Sequence, residues 1–163
     1  MHDLSLYLLE LLENSARAGA AHVDVGLFID RAADELRLTV DDDGRGLDAS
    51  PERVLDPFYT TKPGKKTGLG LSLLKADAQA AGGDLALGGS STLGGARVEV
   101  HMELSHVDRV PLGDLATTLT VTAVTNPTVE FAVTLTGDRF DPPLLRATPA
   151  EAAERLAQAR ATR

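Results

Sequence analysis

Glu10 and Asn14 stand one helical turn apart within Glu10-Leu-Leu-Glu-Asn14, so on a helix both side chains leave the same face. An Asn amide oxygen is the hard kind of ligand that Mg2+ takes while it keeps waters and bridges to phosphates. A carboxylate one turn earlier is suited to accept a proton from a water or hydroxyl attacking a terminal phosphate. Taken alone, Glu-x-x-x-Asn is ordinarily a solvated polar face beside a leucine stripe. Only other motifs in the chain lift it above that.

The first such motif is Asp41-Asp42-Asp43-Gly44-Arg45-Gly46. Period-two alternation puts Asp42 on the side of Leu36, Leu38 and Val40, and Asp41 and Asp43 on the other, so one carboxylate of the three is expected to face inward. A buried carboxylate is costly unless something donates to it. An adenine amino group is a fitting donor, and Gly44 and Gly46 let the backbone turn closely around a base. Rival readings fail on particular residues. A calcium loop over the same acids has Thr39 and Ser50 where acids are needed. Gly44-x-Gly46-x-x-Ala49 satisfies the dinucleotide pattern formally, but Asp48, Ser50 and Pro51 intervene before any helix. Gly64-Lys-Lys66-Thr67 puts Lys66 at the Ser/Thr position of a P-loop and Tyr59 at its leading Gly.

Gly68-Leu69-Gly70 directly precedes a helical pattern, and glycines at a helix start offer free amides beside the positive end of the dipole, a place for phosphates. Lys62, Lys65 and Lys66 add positive charge just upstream. Ordinary helix entry after a solvated loop is the competing reading. The four histidines lack metal-ligand spacing. Ser105-His106-x-Asp108 sits on one short segment, whose adjacent side chains do not converge as a catalytic triad.

These residues need positioning elements, and the periodicity supplies them. Leu4, Leu8, Leu11, Leu12 and Ser15 share one helical face, which predicts a helix over 3–18 ended at Gly19. Residues 22–29 and 35–40 alternate and read as a hairpin; 41–68 is a long connection with a short helix near Pro51–Leu55. A helix over 69–81 and strands over 84–88 and 96–104 follow. In the tail, Pro111–Thr125 reads as a helix, although 120–125 also alternates like a strand; 128–136 is a strand, Gly137-Asp138 a turn, and 149–160 an Ala-rich helix.

With 163 residues the chain can bury a core of its own. Its net charge of -8 disfavours a nonspecific grip on nucleic acid or anionic membrane. Cysteine is absent, which removes thiol nucleophiles and thiolate metal sites. No apolar run nears the ~20 residues of a membrane span, and no secretory leader pattern opens the chain. A cytoplasmic protein is expected.

Taken in order, Glu10 to Ala20, Asp42-Asp-Gly44-Arg-Gly46, Asp56-Pro-Phe58-Tyr-Thr-Thr61-Lys62 and Thr67-Gly68-Leu69-Gly70-Leu71 resemble the N, G1, F and G2 boxes of the GHKL superfamily. That group includes histidine kinases, DNA gyrase B subunits, MutL proteins and heat-shock chaperones. The resemblance implies a two-layer α/β Bergerat sandwich over 1–104, a mixed sheet with helices on one face, binding ATP or ADP with Mg2+ under a lid. It makes Asn14 the Mg2+ ligand, Asp42 the adenine contact and Gly44 and Gly46 its turn. Phe58, Thr61, Lys62, Gly68, Leu69 and Gly70 then belong to the lid and phosphate loop. Residues 105–163 are expected to be a small α+β extension packed on that domain. Within it, His106-Val-Asp-Arg109-Val-Pro111-Leu-Gly113-Asp114 is similar to stand-alone bacterial ATP-binding proteins of histidine-kinase type.

The chain departs from the histidine-kinase pattern in three places. No phosphoacceptor domain fits before residue 10, so autophosphorylation in cis is not expected. Lys66 replaces the first Gly of the Gly-x-Gly-x-Gly run. Glu10 stands where histidine kinases often have Asn, and a base suits attack by water or Ser rather than by neutral imidazole. ATP hydrolysis, or phosphotransfer to a separate protein partner, is therefore expected. A non-catalytic nucleotide-responsive module is the alternative.

Overall fold

In the structure, a computed structural model, residues 2–47, 50–56 and 69–161 are described. The expected positions Phe58, Thr61, Lys62 and Gly68 lie outside them, and Leu69 is described by its backbone alone.

The first helix, α1 (Leu4–Arg17), starts where the Asp3 side chain accepts from the Leu6 amide at 2.9 Å. It ends in a Schellman turn: Gly19 is left-handed at φ +79, its amide bonding Ala16 and the Ala20 amide bonding Ser15. Between the ends, Leu4, Leu8, Leu11 and Leu12 form the buried stripe, with Tyr7 and Ser15 among them. The hairpin β1 (His22–Asp30) and β2 (Glu35–Asp42) follows, then a short helix α2 (Pro51–Val54) capped by Ser50. Helix α3 (Leu69–Ala80) leads to β3 (Asp84–Gly89) and β4 (Ala96–Glu103). The C-terminal third supplies α4 (Leu115–Thr125), β5 (Glu130–Thr136), β6 (Leu144–Ala147) and α5 (Pro149–Ala161).

All six strands join one sheet in the order β3-β4-β2-β1-β5-β6. Among the described residues the β1–β5 pairing is parallel and the other four are antiparallel, so the sheet is mixed. Alternation decides its two faces. Val23, Val25, Leu27, Ile29, Leu36, Leu38, Val40, Val98, Val100, Val133 and Leu135 are buried on one side, beneath α1, α3, α4 and α5. The other side carries Asp24, Gly26, Arg37, Thr39, Glu99 and Thr134 around an open groove. The layering expected from the sequence is therefore the one found: an α/β sandwich with helices on one face.

Residues 105–163 extend that same sheet through β5, alongside β1, and their apolar residues join the common core. They also hold the start of α1. The Leu4 and Ser5 amides, which a helix leaves without internal acceptors, donate to the carbonyls of Pro111 and Leu112 at 2.8 and 3.0 Å. This strap corrects one expectation. Pro111 to Gly113 are not helical, because the Pro111 and Leu112 carbonyls serve α1 and Gly113 is left-handed at φ +70, and α4 begins only at Leu115 under an Asp114 cap. Strand β6 was not anticipated: at four residues, and paired with β5 across a register shift, it leaves no alternation long enough to read.

Leu135 is fully buried on β5. Leu135→Ala is expected to cost ~2–5 kcal/mol in urea unfolding, as core Leu truncations do. A loss below about 1 kcal/mol would mean that β5 is not part of the cooperative core.

Candidate functional site

The innermost group of the site is the Asp42 carboxylate, at the end of β2 and only 4% exposed. Strand parity turns it toward α1, as expected. Oδ2 accepts from the Ser15 hydroxyl at 2.7 Å; Oδ1 accepts from the amides of Gly44 and Ala96 at 3.0 and 3.1 Å. Charge-assisted bonds of this kind offset the desolvation of the carboxylate. An ionised carboxylate offers about four lone-pair directions, so three protein donors leave room for one more.

Parity sends Asp42 to the core side and Asp41 to the other, as expected, but it does not foretell how deeply Asp41 is covered. Asp41 does point to the opposite side of the sheet, yet it is also buried, at 6% exposure. The Arg97 guanidinium at 2.6 Å and the Ser90 hydroxyl at 2.9 Å cover it there. Parity assigns a face, while burial depends on what neighbouring strands place over it.

Two glycines shape the turn after Asp42. A Cβ on Gly44 would lie 2.8 Å from the Ala18 carbonyl oxygen, so the turn closes against the end of α1 only with glycine there. Gly46 is left-handed at φ +85. The Arg45 amide donates to the Ala18 carbonyl at 3.0 Å, tying the loop to α1. Gly95, which sequence reasoning passed over, donates to the Asp42 carbonyl at 2.9 Å, and a Cβ there would run into Asp42.

Ser15 was read as part of the apolar stripe. That reading held the signal, since a hydroxyl on a stripe of leucines must find a buried partner. Its neighbour Asn14 turns instead toward α3. Glu10, Asn14 and Tyr7 from α1 meet Gly70, Leu71 and Leu74 from α3 in a narrow crevice. The helices run in opposite directions, with Tyr7 donating to Asp77 at 2.5 Å near one end and Glu10 against Gly70 near the other. A Cβ on Gly70 would strike the Glu10 Oε2 atom, so the glycine admits the carboxylate to the first turn of α3. The Asn14 side-chain oxygen accepts from the Arg17 guanidinium, and Arg45 in turn donates to the Arg17 carbonyl at 3.1 Å.

Ser105 and His106 serve local structure. Ser105 donates to Asp34 at 3.0 Å, and His106 Nδ1 accepts from the Asp108 amide at 3.0 Å. His2, by contrast, comes within 3.4 Å of Glu10, a contact that sequence spacing does not foretell because His2 precedes the helix. Among the described residues no group of three or more His, Cys, Asp or Glu is arranged to hold a metal ion.

A family model described as histidine kinase-, DNA gyrase B-, and HSP90-like ATPase matches residues 2–106, more than half of the chain. Among solved structures, the chain is similar to the mycobacterial sensor histidine kinase MprB at 26% identity, with a TM-score of 0.45 over 59% of this chain; it spans 66% of that one, just under two thirds. It is also similar to the Aquifex aeolicus MutL ATPase domain complexed with ADP, at 19% identity over 97% of this chain and 70% of that one, with a TM-score of 0.46. No curated protein matches the sequence.

Beside Asp42, Asp43 closes the hairpin end. Its Oδ1 takes the Ala21 and His22 amides, and its Oδ2 meets His22 Nδ1 at 2.8 Å, while His22 Nε2 reaches Glu130 of β5 at 3.2 Å. The Asp43 hydrogen bond raises the His22 pKa above 6.5. The His22 amide and ring hold Asp43 down at about 2. The His22 contribution is present in full below 6.5 and lost as pH rises through the raised value. That of Asp43 is present above 3.8 and lost as pH falls toward about 2. The clamp is therefore tightest between those ordinary values. An NMR titration is expected to put the His22 midpoint above 6.5 and to lower it in Asp43→Asn. Equal midpoints in the two proteins would remove the pair.

Proposed function

The chain belongs, over residues 2–106, to the histidine kinase-, DNA gyrase B-, and HSP90-like ATPase family, and from that membership we propose that it binds ATP and ADP at Asp42 and cleaves ATP with Glu10. The observation that carries the reading is the buried Asp42 carboxylate, anchored by Ser15, Gly44 and Ala96 with one acceptor direction left over. The exocyclic amino group of adenine takes that direction. Gly44 and Gly46 keep side chains away from the base, and the start of α3 at Leu69 and Gly70 turns its amides to the phosphates. Phe58, Thr61, Lys62 and Gly68 complete the phosphate end by resemblance.

Mg2+ fits this donor set. The crevice offers one neutral oxygen ligand, Asn14, and such a site suits an ion that fills its shell with water and phosphate oxygens. When bound, the ion neutralises charge on the phosphates. Asn14 must first release Arg17, whose guanidinium is then free for the same phosphates. Glu10 takes the proton of the attacking water or hydroxyl as its oxygen bonds the terminal phosphorus and the bridging oxygen leaves with ADP. Phosphate passes to water or to a hydroxyl on a separate protein.

No described helix is long and apolar enough to cross a membrane, and a cytoplasmic setting, with ATP at hand, is part of the proposal. The engagement of Asn14 by Arg17 favours a second reading, in which nucleotide is bound and sensed without turnover.

Asp42→Asn is expected to weaken ATP binding by more than ~10-fold in calorimetry, since a hydrogen bond to a charged group is worth ~1.5–3 kcal/mol. Undiminished affinity would remove the adenine assignment. Glu10→Ala is expected to bind ATP normally and lose Mg2+-dependent phosphate release; equal turnover in the two proteins counts against a base role. With γ-labelled ATP, free phosphate from the pure protein marks an ATPase, a second protein labelled only when the pure protein is added to lysate marks a kinase, and neither marks the sensing module.

A further inference from the structure

Glu10 is held by more than its own helix. His2 Nε2 lies 3.4 Å from Glu10 Oε1. The His2 ring stacks on Tyr7, with centroids 4.9 Å apart and planes 23° apart. Tyr7 is itself fixed: its side chain is 2% exposed and its hydroxyl donates to Asp77 of α3 at 2.5 Å. The other Glu10 oxygen, Oε2, rests against Gly70 at the start of α3. One carboxylate oxygen thus lies within ion-pair reach of an imidazole, both side chains being partly exposed, while the other faces the helix start.

We propose that His2 is a positioning residue for Glu10, donating from Nε2 to Oε1 so that Oε2 is the oxygen turned toward the first turn of α3. The proposal rests on the reading of Glu10 as proton acceptor. A glutamate side chain has three rotatable bonds, and an anchored Oε1 removes the rotations that would swing Oε2 away. The proton from the attacking oxygen goes to Oε2. The stacking surface stays a neutral phenol, because burial and the Asp77 carboxylate both push the Tyr7 hydroxyl pKa up. Three acids lie on the residues next to His2 or on those it touches. Asp3, next in sequence, is occupied by Ser5 and the Leu6 amide. Asp77 is occupied by Tyr7. Glu10 is the one His2 itself approaches.

The test uses the full chain with Mg2+ and γ-labelled ATP, in wild type, His2→Ala, His2→Gln and Glu10→Gln. His2→Ala is expected to lower kcat by on the order of ten-fold to a hundred-fold with KM unchanged, the size of loss a misplaced catalytic group brings. His2→Gln, whose amide N–H donates to the same oxygen, is expected to recover most of it. Independently of turnover, the His2 ring 15N resonances are expected to move in Glu10→Gln. An unchanged kcat in His2→Ala, or ring resonances unaffected by Glu10→Gln, overturns the proposal. A wild type that turns over no ATP overturns instead the reading of Glu10 on which it rests, and the two failures are distinguished by that control.

Discussion

The buried carboxylate of Asp42 is the constraint around which the rest is arranged. A carboxylate at 4% exposure is tolerated only where donors are fixed in advance, and here they come from three separate pieces of chain. Ser15 comes from α1, Gly44 from the turn after β2, and Ala96 from the head of β4. Each of those pieces must therefore keep its place relative to the others. The glycines follow from this crowding: Gly44 and Gly95 stand where backbone, Asp42 and α1 leave no room for a Cβ. Loss of any one donor leaves a buried charge under-satisfied, which costs more than the bond itself is worth.

Support for that arrangement comes from the far end of the sequence. The β1 strand would be an edge without β5, with its backbone groups unpaired; the parallel pairing continues the sheet instead. The strap at Pro111 and Leu112 accepts from the first amides of α1, and α4 lies along that helix, its Thr118 hydroxyl bonding the Ser5 carbonyl at 3.2 Å. The family match ends at residue 106, yet the helix that carries Glu10, Asn14 and Ser15 takes its first hydrogen bonds from beyond it.

Long periodic elements were legible in the sequence because their pattern is set by burial on one side. Helix α1, the hairpin, α3 and β4 fall within a residue or two of their expected bounds. What escaped reading was decided by tertiary contact. The Pro111–Gly113 strap is not helical because α1 needs the Pro111 and Leu112 carbonyls, β6 is too short to alternate, and Asp41 is buried by an arginine on another strand. In the site, the pairing of Glu10 with Asn14 followed from helical spacing, and the side taken by Asp42 from strand parity. Ser15 and His2 did not stand out: one is hidden as a polar member of an apolar stripe, the other reaches back to α1 from outside it.

Helix geometry explains why one element serves both ends of the proposed nucleotide site. Successive residues turn by ~100°, so Ser15 faces the sheet and Asp42 while Asn14, one residue earlier, faces α3. Glu10 lies ~6 Å back along the same face as Asn14, at 1.5 Å of rise per residue. The distance between the base end and the phosphate end is thus fixed by a single rigid segment, capped by the strap at one terminus and by the Schellman turn with Arg45 at the other. Arg17 hangs from that helix by an exposed side chain. Exchange of Arg17 for another cation at Asn14 therefore requires rotation of a solvated side chain and leaves the α1 backbone, and with it Asp42, where they are.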